Sequence, residues 1–151
     1  MAEFTFNKTD LEQTFSKIKK RLFNSKEIHV IKYERKDTEL NYTKNNGYFI
    51  DAIKGKPAVY CIWLGQESSE KFVPVYIGHA KKPRDRLRNH LSKKHEKTGA
   101  VLDKVKKEVK RDVAIGVTFV QIEPPYMRTA VEEWLIEEHS DILTWNERGK
   151  R

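Results

Sequence analysis

Between Pro57 and Pro124 the chain carries three apolar runs of strand length, and their spacing limits the fold more than any other feature. Residues 58–64, AVYCIWL, are almost continuously apolar. A polar connection, 65–71, separates them from a second apolar run at 72–77, so the two are expected to pair as antiparallel strands across a short loop. Gly78 ends the second run, where a glycine can either take a backbone position or permit an approach that a side chain would block. The third run is 114–122, in which Ile115, Val117 and Phe119 alternate with Gly116, Thr118 and Val120, and Pro124 and Pro125 stop it.

Helical patterns fill the intervals. After Pro83, Leu87 and Leu91 stand four apart on an otherwise charged segment, and after Gly99 the residues Val101, Leu102, Val105 and Val109 mark an apolar face. A last amphipathic helix is expected from about Met127 to His139, burying Ala130, Val131, Trp134 and Leu135, before 143–146 returns to the body. The expected class is α/β: a small three-stranded, mainly antiparallel sheet flanked by helices.

The N-terminal third is read as an extension of that module. Leu11, Phe15, Ile18 and Leu22 predict a helix over 9–23, with Thr9 or Asp10 as its cap. The β-branched content of 27–33 favours a strand, and 34–56 is polar, with an ordered piece around 48–53. The expected division is 1–56, a helix and polar extension that is either an accessory layer packed on the main domain or a substrate-contacting extension, and 57–151, the main domain. A chain of 151 residues has room for one ordinary core with such an appendage.

Charge narrows the partners. Residues 80–111 hold thirteen Lys or Arg against four acids, +9 of a total net charge of +8, because 1–79 contributes +3 and 112–151 contributes −4. A local positive field of this kind suits a polyanion, since counterion release from a phosphate backbone gives affinity without base reading. Lys81, Lys82, Arg84, Arg88, Lys93 and Lys94 are the candidate DNA contacts. The single cysteine, Cys61, excludes an intrachain disulfide and a cysteine metal cage. No apolar stretch reaches the roughly 20 residues that span a bilayer, and the N-terminus lacks the order of a secretory signal, so a cytoplasmic protein with no membrane partner is expected. No HExxH, cysteine pair or GxxxxGK[ST] loop is present.

The residues with chemical potential are dispersed along the chain. Tyr60 and Tyr76 fall in the first two strands, where pairing brings the phenols near each other. Arg86 and His90 share a helix face, Glu132 sits inside the last helix, and Asn146 follows a turn. Phosphodiester hydrolysis needs a cation against the developing charge, a base for water, and stabilisation of the leaving oxygen. Arginine, tyrosine or histidine, and a carboxylate-held Mg²⁺ supply these in turn.

Taken in order, Ala58-Val59-Tyr60, Val75-Tyr76-Ile77-Gly78 and Arg86-x-x-x-His90 resemble the GIY-YIG nuclease family. Glu132-x-x-Leu135-Ile136 and Asn146 lie where that family places its metal-binding glutamate and its terminal asparagine. The resemblance covers 57–147, and the step from Gly78 to Arg86 has the family's common length of eight residues. It implies a divalent-metal-dependent endonuclease that hydrolyses DNA phosphodiester bonds with Mg²⁺, or Mn²⁺ in its place. Tyr60 and Tyr76 would position or activate water, one of them as general base, and Arg86 would bind the scissile phosphate. His90 would assist the tyrosine, Glu132 would hold the metal, and Asn146 would brace the site. Two departures stand out: Ala58 replaces the family's first glycine, and His79 follows the YIG element. The alternative is a non-catalytic DNA-binding module using the basic segment 80–111. As a monomer such a chain nicks one strand, whereas a double-strand break calls for a homodimer or two successive events; either state fits the sequence.

Overall fold

A computed structural model describes residues 1–65, 71–93 and 100–146. In chain order the elements are α1 (Lys8–Leu22), β1 (His29–Val30), α2 (Tyr42–Asn45), α3 (Gly47–Ile53), β2 (Ala58–Gly65), β3 (Phe72–Ala80), α4 (Pro83–Leu91), α5 (Ala100–Lys110), β4 (Ala114–Gln121) and α6 (Arg128–His139). The strands form one sheet in the order β1-β4-β2-β3, and each neighbouring pair is antiparallel.

The sheet therefore has four strands, not the three expected. The fourth is β1, inside the 27–33 segment, where His29 pairs with Val117 and Val30 with Gly116. The β-branched content of 27–33 anticipated a strand there, whereas its place beside β4 follows from the pairing. The Ile31 N–H continues the contact by donating to the Ile115 carbonyl at 2.8 Å.

Why residues 58–64 are apolar on both parities is plain from the layers. Tyr60 and Ile62 point to one face, packing with Ile53, Leu87, Leu91, Val105 and Val109; Val59, Cys61 and Trp63 point to the other, packing with Phe15, Leu22, Val131 and Leu135. Helices α3, α4 and α5 thus cover one face and α1 and α6 the other, so a central strand has no solvent side on which to place polar residues. Leu22, Leu87, Leu91 and Leu135 are each fully buried, worth about 1.5–3 kcal/mol apiece.

The N-terminal residues belong to these same layers. Thr118 donates its hydroxyl to the Leu22 carbonyl at 2.5 Å and accepts the Trp63 indole N–H at 2.9 Å, tying the end of α1 to the middle of the sheet. The α1 cap is Asn7, whose Oδ1 accepts the Asp10 N–H at 3.1 Å, instead of Thr9 or Asp10. In α6 the buried positions are Val131, Glu132, Leu135 and Ile136, and Ala130, expected inside, is exposed. Among the described residues no helix is long and apolar enough to cross a membrane.

Two asparagines finish the sheet in the same manner. Beyond β1, Asn46 accepts the Lys32 N–H at 2.8 Å and donates its amide to the Lys32 carbonyl at 3.0 Å. On β3, Asn146 accepts the Ile77 N–H at 2.7 Å and donates to the Ile77 carbonyl at 2.8 Å. Each side-chain amide completes the hydrogen bonding of a backbone edge that would otherwise be open.

Candidate active site

The site begins with strand register. Tyr60 stands opposite Gly78 and Ile62 opposite Tyr76, so the two tyrosines rise from the same face of β2 and β3 with ring centroids 6.4 Å apart. The register shifts between Ile62 and Trp63, leaving Val75 as an extra residue beside Tyr76. A bulge at such a place bends the strand and re-aims the adjacent side chain. The freed Val75 carbonyl accepts the Trp145 N–H at 2.9 Å, which brings the C-terminal segment onto the β3 edge.

Gly78 is required by packing, since its backbone conformation is ordinary. A Cβ there would lie 2.5 Å from the Tyr60 hydroxyl oxygen and 2.6 Å from Cζ. The buried Tyr60 ring lies across the bare backbone. Ala58 is fully buried in regular strand and needs no positive φ.

Helix α4 supplies the next two groups. Pro83 starts it, Leu87 and Leu91 fasten it to the core, and Arg86 and His90 fall one turn apart beside the tyrosines. His90 Nε2 is 3.0 Å from the Tyr60 hydroxyl oxygen, and its ring meets Tyr76 edge-on at 5.6 Å. Burial drives the Tyr60 pKa well above the ordinary phenol value, with the fields of Tyr76 and Glu132 adding to it and Arg86 opposing it. Burial, followed by the Arg86 charge, pushes His90 down to about 4. At neutral pH the pair is a phenol beside a neutral imidazole. The Tyr60 O–H can donate to Nε2 in the tautomer that carries its proton on Nδ1.

Glu132 arrives from α6, on the opposite face of the sheet. It is 6 % exposed, and its Oε2 lies 3.9 Å from His79 Nε2. His79 reaches it because residues alternate along β3: Gly78 faces Tyr60, so His79 faces α6.

At the β3 edge these groups converge on a cleft of about 310 Å³, bordered by Tyr60, Tyr76, Arg86, Glu132 and Asn146. An arrangement with Arg86 and Glu132 on separate surfaces would have excluded joint chemistry; both open on this cleft. His90 stands behind Tyr60 and does not border it. Lys81, Lys82, Arg84, Arg88 and Lys93 are exposed on or beside α4 without lining the cleft, and Lys94 lies outside the described residues. Lys104 of α5, His79 and Trp145 also border it. None of these three was among the site residues expected from the sequence. Lys104 is one lysine among many, but its place three residues after Val101 on an amphipathic helix puts both on neighbouring surface.

Among the described residues no group of three or more His, Cys, Asp or Glu side chains is placed to hold a metal ion. The donor set of the cleft is nevertheless suited to a hard divalent ion. Mg²⁺ commonly takes one or two carboxylates and completes its shell with water and phosphate oxygens, and Glu132 presents a carboxylate where a phosphate would be held by Arg86. No family model, curated protein or solved structure matches this chain.

Proposed function

We propose that this protein is a divalent-metal-dependent endonuclease that hydrolyses DNA phosphodiester bonds, with a site of the GIY-YIG kind that its motifs resemble. The observation that carries this reading is the convergence of Arg86, two tyrosines and a buried carboxylate on one cleft from opposite faces of the sheet. Simple phosphate binding has no use for Glu132, whose charge repels the ligand and whose burial costs free energy.

In this mechanism Arg86 holds the scissile phosphate and meets the charge that grows on its equatorial oxygens. Tyr76, half-buried on the cleft wall, orients the attacking water. Tyr60 is poorly suited to ionise, so its role is a relay: it takes the water proton on its oxygen as its own proton passes to His90 Nε2, remaining neutral throughout. Burial is the larger cause that holds His90 down and the Arg86 charge the smaller; phosphate opposite Arg86 offsets the second, which makes the imidazole more basic when substrate is bound. The water oxygen forms the new P–O bond as the P–O3′ bond breaks, leaving a 5′-phosphate and a 3′-oxyanion that becomes the 3′-hydroxyl by taking a proton from solvent water. Glu132 would hold Mg²⁺ or Mn²⁺, which supplies Lewis-acid stabilisation of the leaving oxygen. Asn146 keeps β3 in register by its two bonds to Ile77.

The second reading, a DNA-binding module without catalysis, draws on the exposed cations Lys81, Lys82, Arg84, Arg88 and Lys93 around α4. In the nuclease these residues place the duplex, because phosphate contacts position DNA without reading sequence. Incubation with duplex, branched and single-stranded DNA in Mg²⁺ separates the two: cleavage lost in Arg86→Ala supports hydrolysis, and salt-sensitive binding without cleavage supports the module.

A further inference from the structure

We propose that His79 is a second protein ligand of the divalent ion at Glu132, which makes the site one for Mn²⁺ or Co²⁺ in preference to Mg²⁺. The inference rests on the metal-dependent reading of the cleft and specifies its metal chemistry.

Two facts place the imidazole. Strand alternation turns His79 toward α6, away from the Tyr60 face, and both His79 and Glu132 border the cleft. The side chains are 24 % and 7 % exposed, so neither is a mobile surface group. Their donor atoms, Nε2 and Oε2, are 3.9 Å apart. A direct charge-assisted hydrogen bond between them would close to about 2.7–2.9 Å. Two bonds of about 2.0–2.2 Å to one ion span as much as about 4 Å, so the observed separation admits an ion between the donors.

Ligand type then decides which ion. Carboxylate and water suit Mg²⁺ and Mn²⁺ alike, but a ring nitrogen is a poor partner for Mg²⁺ and favours first-row transition ions, whose affinities rise from Mn²⁺ to Co²⁺ and beyond. A site with Glu132 alone would be indifferent to this distinction. A site with His79 and Glu132 is not, and the remaining positions stay open for water and the substrate phosphate.

The test is Mn²⁺ binding to the whole protein without DNA, followed by pulsed electron paramagnetic resonance. Nitrogen modulation on the bound ion is expected, changing to the ¹⁵N pattern when histidine alone is ¹⁵N-labelled. His79→Gln should abolish that modulation and weaken Mn²⁺ binding by about 10- to 100-fold, the scale set by removing groups that orient metal ligands. Mg²⁺ competition should change little. The labelled wild-type signal needs no variant to fold, and among the described residues His79 is the histidine that borders the cleft. Mn²⁺ bound in a manner that Glu132→Gln abolishes, yet without nitrogen modulation, would overturn the role of His79 and leave the nuclease reading intact. Absence of any Glu132-dependent Mn²⁺ binding would overturn the His79 ligand, whereas DNA cleavage unchanged in Glu132→Gln would overturn the nuclease reading itself.

Discussion

Asn146 grips Ile77 at both backbone atoms, accepting its N–H at 2.7 Å and donating to its carbonyl at 2.8 Å. That clamp lies one residue from Tyr76 and one from Gly78, so it fixes the strand on which the first half of the cleft is built. Asn146→Ala leaves both Ile77 groups unpaired and should lower stability by about 2–6 kcal/mol, at about 1–3 kcal/mol for each buried group left unsatisfied. Asn146→Asp keeps an acceptor but loses the donor, so it should also be destabilising. Urea unfolding checks both, and a loss of less than about 0.5 kcal/mol in Asn146→Ala would show that the clamp does not hold the strand.

The Tyr60 ring and the Gly78 backbone occupy adjoining space with no room for a methyl group. Gly78→Ala would put Cβ 2.5 Å from the phenol oxygen, so ring or strand must shift. The expected cost is about 1–3 kcal/mol, with displacement of Tyr60 from His90. Nuclear magnetic resonance of the Tyr60 and His90 ring signals should show that displacement, and unchanged signals with unchanged stability would contradict the packing described.

His90 links pH to stability. Its ordinary value is 6.5 and its folded value about 4, so the unfolded chain takes up this proton before the folded one does. Stability from this group is complete above about pH 6.5 and is lost as pH falls toward 4, by roughly 3 kcal/mol in full. The unfolding free energy of the wild type relative to His90→Asn should therefore stay level above about pH 6.5 and fall as the pH drops toward 4, the wild type losing ground on the acid side. Since neutral His90 is the proton acceptor, kcat/KM for free enzyme should fall through an acid limb near pH 4. An acid limb at 6.5 or above would remove His90 from the relay.

The legible part of the site came from residues on strongly patterned elements. Tyr60 and Tyr76 lie in apolar runs whose antiparallel pairing follows from a short connection, and Arg86 and His90 share a face by helical spacing. Glu132 was singled out from Glu133 by its spacing to Leu135 and Ile136, and the helix does bury it. What sequence did not display was tertiary. The two-residue β1 has no period to read; Ala130 is apolar yet faces solvent; and Asn7 caps α1 where Thr9 and Asp10 were also chemically suited. His79 drew notice only as an odd neighbour of Gly78, because its approach to Glu132 depends on how α6 crosses β3. Lys104 was hidden among the five basic residues of 104–111.

Cleavage of DNA by the wild type and by two cleft variants, assayed across duplex and branched substrates in Mg²⁺ and Mn²⁺, bears most directly on the central claim. Removal of one group that stabilises transition-state charge lowers rates by about 10²–10³-fold. Arg86→Ala and Glu132→Ala should each lose at least that much while circular dichroism and unfolding show the fold retained. Cleavage that persists unchanged in both folded variants, with contaminating nuclease excluded, would contradict the assignment of this cleft as a hydrolytic site.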